Sequence, residues 1–243
     1  MGAWSSVRTL RLLNDGLVQD DHNDPNDLRL SSRTGGFNFV SELHVDFGFS
    51  GPQLAALLGG LPPLAAFKCQ IGILGTFADV CAALAKGADR QRHLRAVALP
   101  GIDSATSMAA EAKAMRSLGK LKNLETLVTA PGRLPLPTTL SSLRRLHLTE
   151  SLESEHSTVS DAYLAAVLAT YPLQTLALSD VGPPNWAFTG SSLRSASLTE
   201  LSLHACVSLT TAGLSAMVGA LPALKRFVCR RAANSGHMLV ASL

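Results

Sequence analysis

A short leucine pattern recurs along this chain and restricts its fold more than any other feature of the sequence. The stretch 198–224 opens on the spacing LxxLxL, which is typical of a short strand with one buried face. Its second half has apolar residues at helical spacing, which predicts a helix that ends before Pro222. The apolar positions of this helix are Leu214, Met217, Val218 and Leu221. Strand, turn, helix and return together make one repeat.

The same spacing predicts nine strands, each beginning with an apolar residue at a comparable place in its repeat. These first residues are Val7, Val40, Leu64, Leu94, Leu124, Leu143, Leu173, Leu198 and Leu224. The intervals run from 19 residues, between Leu124 and Leu143, to 33 residues, between Val7 and Val40. One LxxLxL match would mean little, whereas nine at similar intervals indicate a repeat architecture.

Helices are predicted between most of these strands. Their apolar stripes fall in 54–61, 77–84, 108–118, 164–171 and 214–221. Ser160 is placed to cap the fourth helix, and Pro172 to end it. In the third helix the predicted stripe consists of Met108, Ala112, Met115 and Leu118. Two intervals, 130–142 and 181–197, contain prolines and lack helical periodicity, so they predict extended crossovers.

These elements predict one α/β domain over residues 1–243, built from about nine irregular repeats. Each strand is expected to pair in parallel with the strand of the next repeat, through a right-handed crossover. Helices need about 10 Å per neighbour, against about 4.8 Å for strands. We therefore expect a solenoid with a curved parallel sheet on its concave side, and with helices and extended crossovers on its convex side.

Composition favours an intracellular protein, cytoplasmic or nuclear, without a membrane span. Hydrophobic residues make up 47% of the chain, but its most apolar window, 61–85, is interrupted by prolines and charged residues. The start of the chain lacks the apolar core of a secretory signal. The cysteines form no CxxC pair, which predicts reduced, buried thiols at Cys69, Cys81, Cys206 and Cys229. A net charge of +3 gives no reason to expect a nucleic-acid partner.

The repeats resemble leucine-rich-repeat proteins of the ribonuclease-inhibitor-like class along nearly the whole chain. The repeat that begins at Leu198 is similar in particular to the cysteine-containing repeat of F-box leucine-rich-repeat proteins. The matching positions are Cys206, Leu209, Thr210, Gly213 and Leu214, while Thr211 stands where that repeat has aspartate. The resemblance implies the substrate-recognition region of an F-box-type ubiquitin-ligase receptor. It implies binding to the ligase adaptor only if an F-box lies outside this chain, since none is visible within it.

Two other roles stay open on the same architecture. One is a regulator of a GTPase, such as a GTPase-activating protein of the same class, although the C-terminal end is apolar where that group carries an acidic tail. The other is the sensor segment of an immune-type receptor, which would require a nucleotide-binding module. The terminal repeats lack the polar caps that solenoids need, so we expect a fragment of a longer protein.

The residues between the buried leucines of each strand are expected to point into the concavity, where solenoids usually bind their ligands. The candidate partner-binding residues are Glu42, His44, Lys68, Ala96, Ala98, Thr126, Val128, Arg145, His147, Glu200 and Arg226. The middle of this series is small or apolar, and its ends are charged. One interpretation is that a protein segment docks on the four middle residues and is steered by the charges on either side. The other is that the fold simply tolerates small residues there.

No pattern predicts catalysis, a cofactor or a metal site. The histidines His44, His147 and His204 belong to strands too far apart to share one ion. The acidic run 20–27 lacks the ligand spacing of an EF-hand, and no GxSxG, GxxxxGK or HExxH motif occurs.

A basic cluster lies on the last repeat and consists of Lys225, Arg226, Arg230 and Arg231. It has no interleaved aromatic residues, so it is weak evidence for nucleic-acid binding. Two interpretations stay open for it, a solvated edge and a contact for an acidic partner.

Overall fold

The computed structural model describes residues 8–12, 39–45, 51–69, 77–86, 92–99, 107–130, 134–149, 159–179, 188–191, 193–204, 209–230 and 238–242. Contacts within the chain divide it into two compact units. The first unit comprises Met1–Pro100 and Thr106–Leu124, and the second comprises Gly101–Ala105 and Glu125–Leu243.

Four short strands of the first unit pair in parallel, in the order of the chain. They are β1 (Thr9–Leu12), β2 (Glu42–Val45), β3 (Ala66–Cys69) and β4 (Ala96–Ala98). The register aligns equivalent positions of successive repeats, so that Leu43 lies between Leu10 and Phe67. The apolar residues of the LxxLxL pattern therefore stack on one face of the sheet.

Helices cover that apolar face in the first unit. They are α1 (Gly51–Gly60), α2 (Phe77–Lys86) and α3 (Met108–Leu118), and each packs against the next. Leu43 on β2, Leu54 on α1 and Leu118 on α3 are completely buried. Burial of one such leucine side chain contributes about 2 kcal/mol to folding. The stacked leucines and the helices that cover them form the core of this unit.

The apolar stripe predicted for α3 is wrong at its first residue. Met108 is 48% exposed, whereas Glu111 is completely buried. The helix begins after Ser107, whose hydroxyl accepts a hydrogen bond from the Ala110 N–H. Met108 is the first residue of this helix, and the buried apolar residues of α3 are Ala114, Met115 and Leu118. The sequence periodicity predicted the helix correctly but placed Met108 rather than Glu111 on its buried face.

The second unit contains five parallel strands and one antiparallel strand. They are β5 (Thr126–Thr129), β6 (Arg145–Thr149), β7 (Thr175–Ser179), β8 (Glu200–His204), β9 (Arg226–Arg230) and the antiparallel β10 (Met238–Ser242). Helix α4 (Asp161–Thr170) connects β6 to β7, and α5 (Thr211–Ala220) connects β8 to β9. On α5 the predicted stripe fails at Val218, which is 44% exposed, while Met217 is buried.

No helix lies in the described part of the two proline-containing crossovers, as the sequence predicted. In the first, between β5 and β6, Leu136 and Leu140 are buried, and the Leu136 carbonyl accepts a 2.8 Å hydrogen bond from the hydroxyl of Tyr171, at the end of α4. Burial raises the pKa of this tyrosine to about 12. The described part of this crossover forms two successive turns, in which Leu140 N–H donates to the Pro137 carbonyl and Leu143 N–H to the Leu140 carbonyl, rather than the predicted extended chain.

In the described part of the second crossover, between β7 and β8, the chain forms a tight turn at residues 189–191. The Asp161 carboxylate, in the first turn of α4, accepts hydrogen bonds from the Thr189 N–H at 3.1 Å, the Thr189 hydroxyl at 2.6 Å and the Gly190 N–H at 3.0 Å. Gly190 has φ of 87°, in the left-handed region that favours glycine. We call residues 189–191 with Asp161 the aspartate clamp.

The predicted class is confirmed within each unit, since all nine predicted strands are present and pair in parallel in chain order, with helices between several of them. Strand β10 was not predicted, because its residues lack the LxxLxL spacing and fold back antiparallel on β9. Cys69 and Cys81 are buried thiols as predicted, whereas Cys229 is partly exposed. Cys206, Arg231 and the acidic run 20–27 lie outside the described residues. Curvature and a single-domain organisation stay predictions.

Candidate ligand-binding face

Each strand that carries a candidate residue has one apolar face and one accessible face. On β2, Leu43 and Val45 are buried, while the alternating Glu42 and His44 are partly exposed. The same alternation holds for the other strands that carry candidate residues. We call the accessible side of each unit its open face. All eleven predicted partner-binding residues lie on the open face of their own unit and are partly or fully exposed.

In the first unit, the open face carries a row of basic side chains. The register places His44 of β2 between Arg11 of β1 and Lys68 of β3. Glu42 lies close to this row, with its Oε2 4.0 Å from His44 Nε2 and accepting a 3.2 Å hydrogen bond from the Thr9 hydroxyl. Ala96 and Ala98 of β4 follow as small residues, next to Ala66 and Lys68 of β3. The predicted sequence of charged and then small residues is present here.

In the second unit, the open face consists of three rows that run across the strands. The outer row consists of Thr126, Arg145, Thr175, Glu200 and Arg226. The middle row consists of Val128, His147, Ala177, Ser202 and Val228. The far row consists of Thr149, Ser179, His204 and Arg230. Small side chains in the middle row thus lie between two rows of polar and charged ones.

Hydrogen bonds tie the histidines of this face to serines. His147 Nε2 lies 2.7 Å from the Ser179 hydroxyl on the neighbouring strand. His204 Nε2 lies 2.8 Å from the Ser202 hydroxyl, two residues earlier on the same strand. These contacts hold both rings down against the sheet and keep them in defined orientations.

A shallow cavity of about 230 Å³ opens over β7, β8 and β9. Its lining residues are Thr175, Glu200, Leu201, Ser202, His204, Arg226, Val228 and Arg230. Two of the predicted binding residues, Glu200 and Arg226, therefore belong to one concave site. The other predicted residues of this unit, such as Arg145 and His147, lie on the same face towards β6.

Sequence reasoning named His204 and Arg230 separately but did not predict the far row as a whole. It assigned two accessible positions to each strand, but β6 to β9 each continue for five residues, so a third accessible position follows the last apolar one. Ser179 and Arg230 occupy such positions. Polar residues at this place in successive repeats were the available signal.

The four small residues of the predicted docking site fall in two groups. Ala96 and Ala98 belong to the first unit, and Thr126 and Val128 to the second. All four are half-buried on the open face of their own unit. The proposal that one segment crosses all four stays a prediction.

Among the described residues, no group of three or more histidine, cysteine, aspartate or glutamate side chains is placed to hold a metal ion. Burial raises the pKa of the Cys81 thiol well above its usual value, which makes this group unreactive as a nucleophile. In the described ranges, no helix is both long and apolar enough to cross a lipid bilayer.

Comparison with known proteins adds little beyond the fold. No protein-family model and no curated protein matches the chain. One solved structure that resembles it is described as the crystal structure of a TLR13-ssRNA13 complex, with 13% sequence identity and a TM-score of 0.45. The match covers 92% of this chain and 32% of that one, so this chain spans about a third of the length of the structure it matches.

Proposed function

We propose that this chain is a non-catalytic binding scaffold that holds a protein ligand on the open faces of its sheets. The observation that carries the proposal is the alternation of buried and accessible residues along the strands that carry candidate residues. Alternate residues are either buried apolar side chains that hold the repeats together or accessible charged and small side chains that can contact a ligand. Accessible rows of this kind, in register across several strands, suit an extended ligand surface.

At a finer level, we propose that the ligand is a substrate of a ubiquitin ligase and that this region belongs to an F-box-type receptor. The support is the sequence of one repeat, from Leu198 to Leu214, which matches the cysteine-containing repeat at most of its positions. A search of the coding sequence upstream of Met1 for an F-box tests this level. The extended chain would then recover the ligase adaptor in a pull-down, while the present chain would not.

Site-specific photo-crosslinking tests the binding scaffold itself. A crosslinking amino acid is placed on the open face, at Ala98 in the first unit and at Ala177 in the second. Matched control positions are Gly59 on α1 and Gly219 on α5, where an added side chain meets no atom within 4 Å. All four variants are expected to melt at the same temperature as the parent chain.

Open-face positions are expected to give discrete protein crosslinks in cells, and the helix positions are not. Equal crosslinking from Gly59 and Ala98 would contradict the proposal, because the ligand would then show no preference for the open face. Crosslinked products that are destroyed by nuclease rather than by protease would replace the protein ligand with a nucleic acid.

A further inference from the structure

We propose that the open face of the second unit binds an extended, acidic protein segment, in a groove whose floor is the middle row residues Ala177, Ser202 and Val228. This inference rests on the proposed scaffold function and names the chemistry of its ligand. We call this site the arginine groove, because three arginines of the outer and far rows border it, namely Arg145, Arg226 and Arg230.

The dimensions of the groove fit a single extended chain. Arg226 and Arg230 begin and end β9 and lie on opposite sides of the floor, so the two borders are about 13 Å apart at about 3.3 Å per residue. Between them the floor residues Ala177, Ser202 and Val228 are small and half-buried. One extended chain with its side chains needs roughly 10 Å. A segment can therefore lie across the strands, in contact with both borders.

Charge determines which segment the groove prefers. In the described part of the chain, no carboxylate forms an ion pair with Arg145, Arg226 or Arg230. Among the residues of the three rows Glu200 is the only acidic one, and it accepts a hydrogen bond from Thr175. Among the described residues of the three rows, three arginines against one glutamate give an excess of positive charge. An acidic ligand would supply carboxylates to these guanidinium groups.

The positions of Arg145 and Arg226 predict the spacing of acidic residues in the ligand. Arg145 lies on β6 and Arg226 on β9, with Thr175 and Glu200 between them in the same row. Three strand spacings of about 4.8 Å separate the two arginines, which corresponds to about four residues of extended chain. A ligand with acidic residues about four positions apart therefore reaches both arginines.

The side chains of the groove favour a protein over a single-stranded nucleic acid. Proteins that bind single strands without sequence preference stack bases on aromatic side chains along a basic channel. The three rows contain no phenylalanine, tyrosine or tryptophan. Both histidines of the rows, His147 and His204, form hydrogen bonds with serine hydroxyls.

Fluorescence anisotropy with defined peptides tests the arginine groove. The probe is a labelled peptide of roughly eight residues, rich in threonine, with two glutamates about four positions apart. A second probe has lysines in place of the glutamates. Each is titrated with the full chain and with the double variant Arg226→Glu, Arg230→Glu. The matched control is Lys113→Glu, Arg116→Glu, which makes the same change of charge on the exposed surface of α3.

The parent chain is expected to bind the glutamate peptide and not the lysine peptide. The groove variant is expected to bind the glutamate peptide at least about tenfold more weakly, and the control within about twofold of the parent. Charge reversal is also expected to give the groove variant a measurable affinity for the lysine peptide.

Equal losses of affinity for the glutamate peptide in the groove variant and the control would overturn the inference. The net charge of the whole chain, rather than the groove, would then explain the binding. The inference also fails if a single-stranded oligonucleotide of matched charge displaces the labelled peptide at a lower concentration than the unlabelled peptide does. Failure of this test is separate from failure of the scaffold proposal, because crosslinking from Ala98 and Ala177 to a non-acidic protein would support the scaffold and reject the arginine groove.

Discussion

Replacement of Gly213 by alanine tests the contact between helix α5 and the turn at residues 189–191, which belongs to the crossover between β7 and β8. Gly213 lies in the first turn of α5, and its N–H donates a 3.0 Å hydrogen bond to the hydroxyl of Thr210. A Cβ at this position would overlap the carbonyl oxygen of Thr189 and lie 2.8 Å from its carbonyl carbon. Both are backbone atoms, so relief of the overlap must move either the helix or the aspartate clamp.

The expected magnitude follows from two opposing effects. Alanine in a helix is favoured over glycine by about 1 kcal/mol. Overpacking in a close contact costs about 1–3 kcal/mol, and the shift of Thr189 also strains its two hydrogen bonds to Asp161. Gly219 on the same helix provides the comparison, because a Cβ there meets nothing within 4 Å and the gain is obtained without the clash. The gain in helix propensity is common to both variants and cancels, so they should differ by about 1–3 kcal/mol in free energy of unfolding.

Thermal melts followed by circular dichroism measure this difference. At about 2–4 °C per kcal/mol for a chain of this length, Gly213→Ala is expected to melt at least about 2 °C below Gly219→Ala. Gly219→Ala is expected to equal or exceed the parent chain. If Gly213→Ala melted as high as Gly219→Ala, the close approach of α5 to Thr189 would be refuted.

Three further predictions concern Asp161, Tyr171 and the two cysteines Cys81 and Cys229. Asp161→Asn is expected to lower the free energy of unfolding by about 1–3 kcal/mol in urea denaturation, because an amide offers only one acceptor oxygen to the donors of the turn. Tyr171→Phe is expected to cost about 1 kcal/mol at neutral pH through the lost bond to Leu136. The pKa of Tyr171 is raised to about 12 in the folded chain, so the parent should lose stability as the pH rises from about 10 through 12. The Tyr171→Phe variant should lose less stability over this range, and urea denaturation at each pH measures the difference. Iodoacetamide should modify Cys229 well before the buried Cys81, as read by peptide mass spectrometry.

The positions of the strands were predictable because the leucine spacing indicates both where a strand lies and how it aligns with its neighbours. When LxxLxL recurs, only one alignment of neighbouring strands buries every leucine, and the observed pairing of Leu146 with Leu127 and Leu176 follows that alignment. Helix caps were readable for a similar local reason, as the Ser160 hydroxyl accepting from the Tyr163 N–H shows.

The rotation of α3 and the aspartate clamp could not be predicted, because both depend on contacts between repeats. Periodicity alone does not say that Glu111 rather than Met108 enters the interior. Likewise, Asp161 looks like an ordinary acidic residue in the first turn of a helix. Its role appears only when a turn about thirty residues later, at Thr189 and Gly190, comes within hydrogen-bonding distance. The far row of the candidate site was missed for the same reason, since strand length depends on the neighbouring strand.

The aspartate clamp has a consequence for cooperativity. In a repeat protein each coil is stabilised chiefly by the coils on either side, so contacts between coils decide which of them unfold together. Here the Asp161 carboxylate of α4 binds the turn at residues 189–191, and the backbone of that turn lies directly against Gly213 of α5. The described residues of α4, of this turn and of α5 are thereby expected to open as a single block in hydrogen exchange.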